Sequence, residues 1–194
     1  MLMRGLEISS VRKARDLLVE YLQRSRPGAV ARCVDRTGWH YSVFVFPDAT
    51  LGESEERVLL QTVAEDPYSF EVAGTLADWQ REVAAQCAGN SRLVFAVSAA
   101  FAASLLYLAG DESGGFNFIG NSSLGKTVAL RVAASVWGGP ERLQRWRATS
   151  NGLEAVALAH NDSLLCLDEL GQVDPREAGE IAYMLANGSG KARS

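Results

Sequence analysis

The stretch Gly115–Leu130, GFNFIGNSSLGKTVAL, decides how the chain is read. Gly120 to Thr127 fits G-x-x-x-x-G-K-[ST] at every defined position. The residue types suit one chemistry. Gly120 and Gly125 permit backbone angles that turn successive N–H groups into a concave nest for phosphate oxygens. A helix opening at Lys126 adds the positive end of its dipole. The Lys126 ammonium would reach the β- and γ-phosphates, and the Thr127 hydroxyl would ligate magnesium. The pattern carries weight only between a strand and a helix. Apolar Phe116–Ile119 predicts the strand. Lys126 to Trp137 predicts the helix, stopped by Gly138-Gly139-Pro140. Nucleotide contacts are expected from Gly120, Asn121, Ser122, Ser123, Leu124, Gly125, Lys126, Thr127 and Val128.

A second motif lies downstream. Leu164-Leu-Cys-Leu-Asp168-Glu169 reads as a buried strand ending in two acids. A strand beside the phosphate-loop strand would bring Asp168 to the magnesium. Glu169 would then polarise an attacking water as general base. The expected catalytic residues are Lys126 and Glu169, the metal ligands Thr127 and Asp168, and the cofactors ATP and Mg²⁺. Asp168-Glu-Leu-Gly171 also fits D-x-x-G, a GTPase switch pattern, yet no N-K-x-D guanine motif occurs. The acid pair after four apolar residues favours the ATPase class.

Around these motifs the chain alternates strands and helices, which implies a parallel sheet with right-handed crossovers. Leu143–Ala148 and Ser163–Leu167 read as strands, and Gly152–His160 as a helix. Asp174 caps a helix to about Ala186 with Pro175 at its first position. The fold class expected is α/β: a three-layer α/β/α P-loop core over 91–194, lacking its last strands, after a small α/β domain over 1–90. In that first part, Ser9 or Ser10 caps a helix to Arg24. Ala29–Asp35 and Trp39–Phe46 form a hairpin about Arg36-Thr37-Gly38, Pro47–Glu56 is a loop, and Val58–Val63 is a short strand. Thr75 caps a helix to Ala88, with Asp78 in the capping-box position and Gly89 as C-cap.

Composition narrows the function. Apolar residues make up 47% and charged residues 22%, as in ordinary globular proteins. A net charge of -4 argues against a broadly basic, DNA-coating surface. The 3 cysteines have no metal-ligand spacing, so reduced thiols in the cytoplasm are expected. The start lacks the apolar core of a signal peptide. Leu93–Gly110 is uncharged and nearly long enough to span a bilayer. Its Ala and Ser content favours a helix buried in a soluble core, closely packed against a sheet, and no membrane partner is expected.

Other residues invite a functional reading and have a plainer one. Trp39-His40 reads as hairpin packing, and His160 as a polar helix end. Asn151 and Glu154 face the nucleotide or a DNA channel on one reading, and are plain capping residues on the other. Lys191 and Arg193 read as a frayed terminus. Arg145 and Arg147 flank Trp146, a pattern that suits base stacking with phosphate contact, or simple strand alternation with Trp146 buried.

The segments Ala133–Gly138 (AASVWG), Trp146–Glu154 (WRATSNGLE) and Leu164–Gly171 (LLCLDELG), with the phosphate loop, resemble a bacterial P-loop family of mobile genetic elements. Gly38-Trp-His40, Gly74–Trp79 and Gly89–Leu93 look like the same family's N-terminal region. Some members are similar to Cch-type, MCM-like AAA+ replicative helicases. The resemblance implies a ring-forming ATPase, a homo-oligomer that moves on DNA, with ATP between subunits. It carries over Lys126 and Thr127 as phosphate and magnesium ligands, and Asp168 and Glu169 as the acid pair. Such a core has further strands after the acid pair, so full hydrolysis by residues 1–194 alone is not expected. The competing expectations are a non-catalytic nucleotide-binding assembly module and a GTPase-type switch.

Overall fold

The computed structural model describes residues 11–26, 28–61, 70, 72–121, 124–146 and 150–187. Contacts divide the chain into Met1–Ala31 and Arg32–Ser194. The first unit contains helix α1 (Arg12–Arg24), closed by Ser25 N–H donating to the Tyr21 carbonyl. The expected caps Ser9 and Ser10 lie outside the described residues.

The second unit is a mixed α/β assembly of small sheets and helices. Strands β1 (Ala31–Val34), β2 (Gly38–His40), β3 (Val43–Val45), β4 (Thr50–Gly52) and β5 (Arg57–Leu60) open it. The expected hairpin pairing is corrected here. β1 pairs with β5, whereas β2, β3 and β4 form an antiparallel meander with Trp39 opposite Phe44. The tight turn falls at Tyr41-Ser42, with Tyr41 at φ 58. The apolar run Val43–Val45 supplies the buried centre, which also takes in Val58. Part of the loop expected over Pro47–Glu56 is strand β4, because Thr50 and Leu51 complete the ladder to Phe44 and Val45.

Helix α2 (Leu76–Trp79) starts where Thr75 accepts from Asp78 N–H, as the capping pattern requires. It continues through a π segment (Gln80–Ala84) into α3 (Ala85–Cys87). Asn90 caps α4 (Ser91–Ala102), accepting from the N–H groups of Arg92 and Leu93. A 3₁₀ turn (Ala103–Leu105) joins α4 to α5 (Leu106–Ala109). Ser91–Ala109 is long and apolar enough to cross a membrane by length and composition. The expectation of full burial against a sheet is corrected. α4 packs on a helix, α6 (Lys126–Ala134), and its buried positions are Ala96 and Ala100. These meet Ala129, Ala133 and Ala134, so small side chains on both helices let the backbones approach closely.

Beyond α6, β6 (Leu143–Arg145) and β7 (Cys166–Asp168) pair in parallel, Arg145 opposite Asp168. Helix α7 (Ser150–Ala159) connects them, the connection a parallel pair demands. Leu170–Gln172 forms a 3₁₀ turn. Asp174 then opens α8 (Pro175–Asn187) by accepting from Arg176 N–H at 2.9 Å. One further correction matters for the site. Phe116–Ile119 is not a strand and joins none of the three sheets formed by the described residues. It is anchored by its rings instead: Phe116 packs edge-on against Phe95 of α4 at 4.8 Å, and half-buried Phe118 joins the α4–α6 core.

Candidate functional site

Three segments converge at the C-terminal end of the β6–β7 pair. The Gly120–Thr127 loop runs into α6. Gly125 sits at φ 81, a left-handed conformation that favours glycine, and hands the chain to the helix at Lys126. The Lys126 side chain folds back over its own loop, its Nζ donating to the carbonyls of Gly120 and Asn121, each at 2.7 Å. Ser122 and Ser123 lie outside the described residues. Leu124 and Val128 are exposed beside the loop.

Thr127 starts the inner face of α6. Its hydroxyl donates to Asp168 Oδ2 at 2.8 Å. The same carboxylate accepts from Glu169 N–H through Oδ1 at 2.8 Å. That bond accompanies a left-handed Glu169 backbone, φ 66, which ends the strand abruptly. Trp146 N–H donates to the Asp168 carbonyl at 3.1 Å, carrying the ladder one bond past β6. Behind the acids, the Cys166 thiol is buried between β7 and α6. Burial pushes it up to about 11, opposed in part by the charge of Arg142.

An open cavity of about 340 Å³ lies over this strand end, lined by Thr127, Arg131, Gln144, Arg145, Asp168 and Glu169, with Leu143. Arg145 Nε stands 3.6 Å from Glu169 Oε2. The structure therefore brings Thr127, Asp168 and Glu169 together from segments far apart in sequence. Arg145 was read above only as a flank of Trp146. Its meeting with Glu169 follows from the parallel register, which sequence spacing does not reveal. Arg131 had a readable signal: it stands one helical turn after Thr127, on the same face of α6.

Other residues read from the sequence fall away from this site. Trp39 packs edge-on against Phe44 and stacks on Tyr107, its Nε1 donating to the Ser104 carbonyl at 2.7 Å. His40 Nε2 bonds the Arg36 carbonyl, and buried His160 bonds the Val156 carbonyl through Nδ1. Glu154 is half-buried on α7. Trp146 is half-buried too, while Arg145 is exposed. Arg147, Lys191, Arg193 and the side chain of Asn151 lie outside the described residues.

The donor set at Thr127 and Asp168 is a hydroxyl and a carboxylate, hard oxygens of the kind magnesium takes. Among the described residues no group of three or more His, Cys, Asp or Glu could hold a metal ion. Two protein oxygens fit an ion whose remaining ligands are water and phosphate, which is magnesium's common arrangement.

The chain matches, over residues 1–194, the family model described as a domain of unknown function, DUF927, and belongs to that family. No curated protein matches it.

Proposed function

We propose that this chain is a Mg²⁺-ATP-binding P-loop domain of the AAA+ type. The observation that carries the reading is the Thr127–Asp168 hydrogen bond. It joins the last residue of a phosphate-loop motif to the acid at the end of a parallel strand. These two oxygens, brought to hydrogen-bond distance, are the ones that would hold a phosphate-bound cation.

On this reading each residue has a role. The loop N–H groups bind phosphate oxygens, and Lys126 exchanges its two loop carbonyls for the β- and γ-phosphates. Thr127 and Asp168 hold the ion. When bound, magnesium supplies charge neutralisation to the transferring phosphoryl group. Glu169 orients the attacking water and takes its proton at a carboxylate oxygen. The resemblance extends the proposal to a cytoplasmic, ring-forming homo-oligomer that uses ATP to move on DNA.

Titration with labelled ATP and labelled GTP tests the site. Wild type is expected to bind ATP in a magnesium-dependent way, and Lys126→Ala to lose at least ten-fold in affinity. Equal binding by both proteins would sink the assignment. Preference for GTP would move it to the switch-type class.

A further inference from the structure

Helix α1 (Arg12–Arg24) buries none of its residues, yet its sequence is amphipathic. At helical spacing Val11, Ala14, Leu17, Leu18, Tyr21 and Leu22 fall on one face, a stripe about 140° wide. Its large members stand in water: Leu17 is 57% exposed, Leu22 54% and Tyr21 67%. Among the large apolar residues of α1, Val19 alone lies outside the stripe. The charges are ordered too. Arg15 and then Arg12 border the stripe on one side, and Arg24 and Lys13 border it on the other. Asp16, Glu20 and Gln23 lie between these borders, on the face turned away from the stripe. Glu20 pairs with Arg24 there at 2.8 Å. With 4 basic and 2 acidic residues, α1 is locally positive in a chain of net charge -4.

This order discriminates among partners. DNA would meet the polar face, where Asp16 and Glu20 repel phosphate, and would leave the stripe in water. A second copy of α1, packed stripe to stripe, would set basic border against basic border. A flat anionic surface satisfies every part. The stripe enters the apolar layer, Arg and Lys stems reach sideways from its borders to lipid phosphates, and the acids point to water. We propose that α1 is a docking helix for an anionic phospholipid bilayer, lying in the headgroup plane with Leu17, Leu18, Tyr21 and Leu22 turned inward. The contact is peripheral, because 13 helical residues are too few to span a bilayer. It is independent of the nucleotide site.

Co-sedimentation of the full chain with vesicles tests it. One set is phosphatidylcholine alone, and the other carries phosphatidylglycerol in one lipid of three. Wild type is expected to bind the anionic set at least ten-fold more tightly than the neutral set. Arg12→Gln with Lys13→Gln, one cation from each border, should weaken that binding about ten- to thirty-fold. Leu17→Gln with Leu22→Gln, which leaves the charges unchanged, should weaken it at least ten-fold. All four side chains are exposed and belong to a unit apart from the larger one, so the rest of the chain keeps its fold. Wild type that binds neither vesicle, or binds both equally, overturns the proposal. So does binding that the Leu17 and Leu22 substitutions leave intact, which would place the contact elsewhere, as on the apolar segment Ser91–Ala109. Self-association of wild type without vesicles, abolished by those two substitutions, would give the stripe to a second copy and overturns it as well.

Discussion

Cys166 stands two residues before Asp168 and faces the helix that carries Thr127, so its protonation state bears on the site's footing. Its thiol lies in a core of Ala129, Ala133 and Ala134, where an ionised sulfur would be poorly solvated. Burial raises its pKa from 9.0 to about 11. The sign of the pH effect follows. Between these two values the unfolded thiol has lost its proton and the native one keeps it. The unfolded chain then binds fewer protons, and stability falls as pH rises through that window. The loss saturates near about 2–3 kcal/mol. Cys166→Ala should flatten this limb. Denaturant melts of both proteins at pH 8, 9, 10 and 11 give the check: parallel declines would mean that Cys166 carries none of the alkaline sensitivity.

At the scale of elements, the meander meets the turn that leads into the acid-pair strand. Gly38 and Trp39 of β2 meet the Asn161-Asp162 turn that precedes β7. Trp39 N–H donates to Asp162 Oδ2 at 2.8 Å, and Asn161 Nδ2 donates to the Thr37 carbonyl at 3.0 Å. Gly38 is required twice over. Its φ is +98, and a Cβ there would strike the Asp162 carboxylate and stand 2.7 Å from Asn161 Nδ2. Gly38→Ala should therefore cost about 2–4 kcal/mol, from backbone strain and overpacking together. Gly74→Ala is the control: φ is +73 there with nothing within 4 Å, so only the backbone part, about 1 kcal/mol, applies. Equal losses in the two variants, read from urea midpoints, would remove the junction from the account.

The same junction shows why some of the fold was legible and some was not. Thr75 with Asp78, and Asp174 with Pro175, mark helix starts by contacts within one turn, so the sequence displays them. The partners of β1 and of Phe116–Ile119 depend on segments distant in sequence, and alternation of residue types says nothing about which edge meets which. β1 reads like half of a hairpin because a turn follows it, yet its ladder goes to β5. Phe116–Ile119 reads like a strand because it is apolar. Its rings are held by α4, and its backbone joins no sheet. In the site, Lys126, Thr127, Asp168 and Glu169 were readable because their motifs are local. The contact between Arg145 and Glu169 arises only when two strands align in parallel.

For the molecule as a whole, the candidate site is built from two pieces that meet along α6 and β7, where Cys166 packs with Ala129, Ala133 and Ala134. The phosphate loop is attached through α6 and the Phe116 and Phe118 rings. The acids sit at the end of a two-stranded sheet. Among the described residues, the side-chain bond from Thr127 to Asp168 spans the two. A ligand held by the loop at one end and the acids at the other would cross-link them, and binding to the folded state alone raises stability by mass action. At a hundred-fold excess over the dissociation constant the gain is about 2.7 kcal/mol. For a chain of this size that corresponds to a rise in Tm of roughly 5–11 °C. The rise should need magnesium and ATP together. Lys126→Ala should cut it to about half or less, because a ten-fold loss of affinity leaves about 1.4 kcal/mol at the same ligand concentration. Thr127→Ala should cut it to the magnesium-free value, because the remaining carboxylate holds the ion poorly alone. Thermal melts with ATP, with magnesium, with both, and with both plus a chelator separate these outcomes. A shift that survives chelation, or that Thr127→Ala leaves intact, would mean that the ligand does not bridge the loop and the acids through an ion.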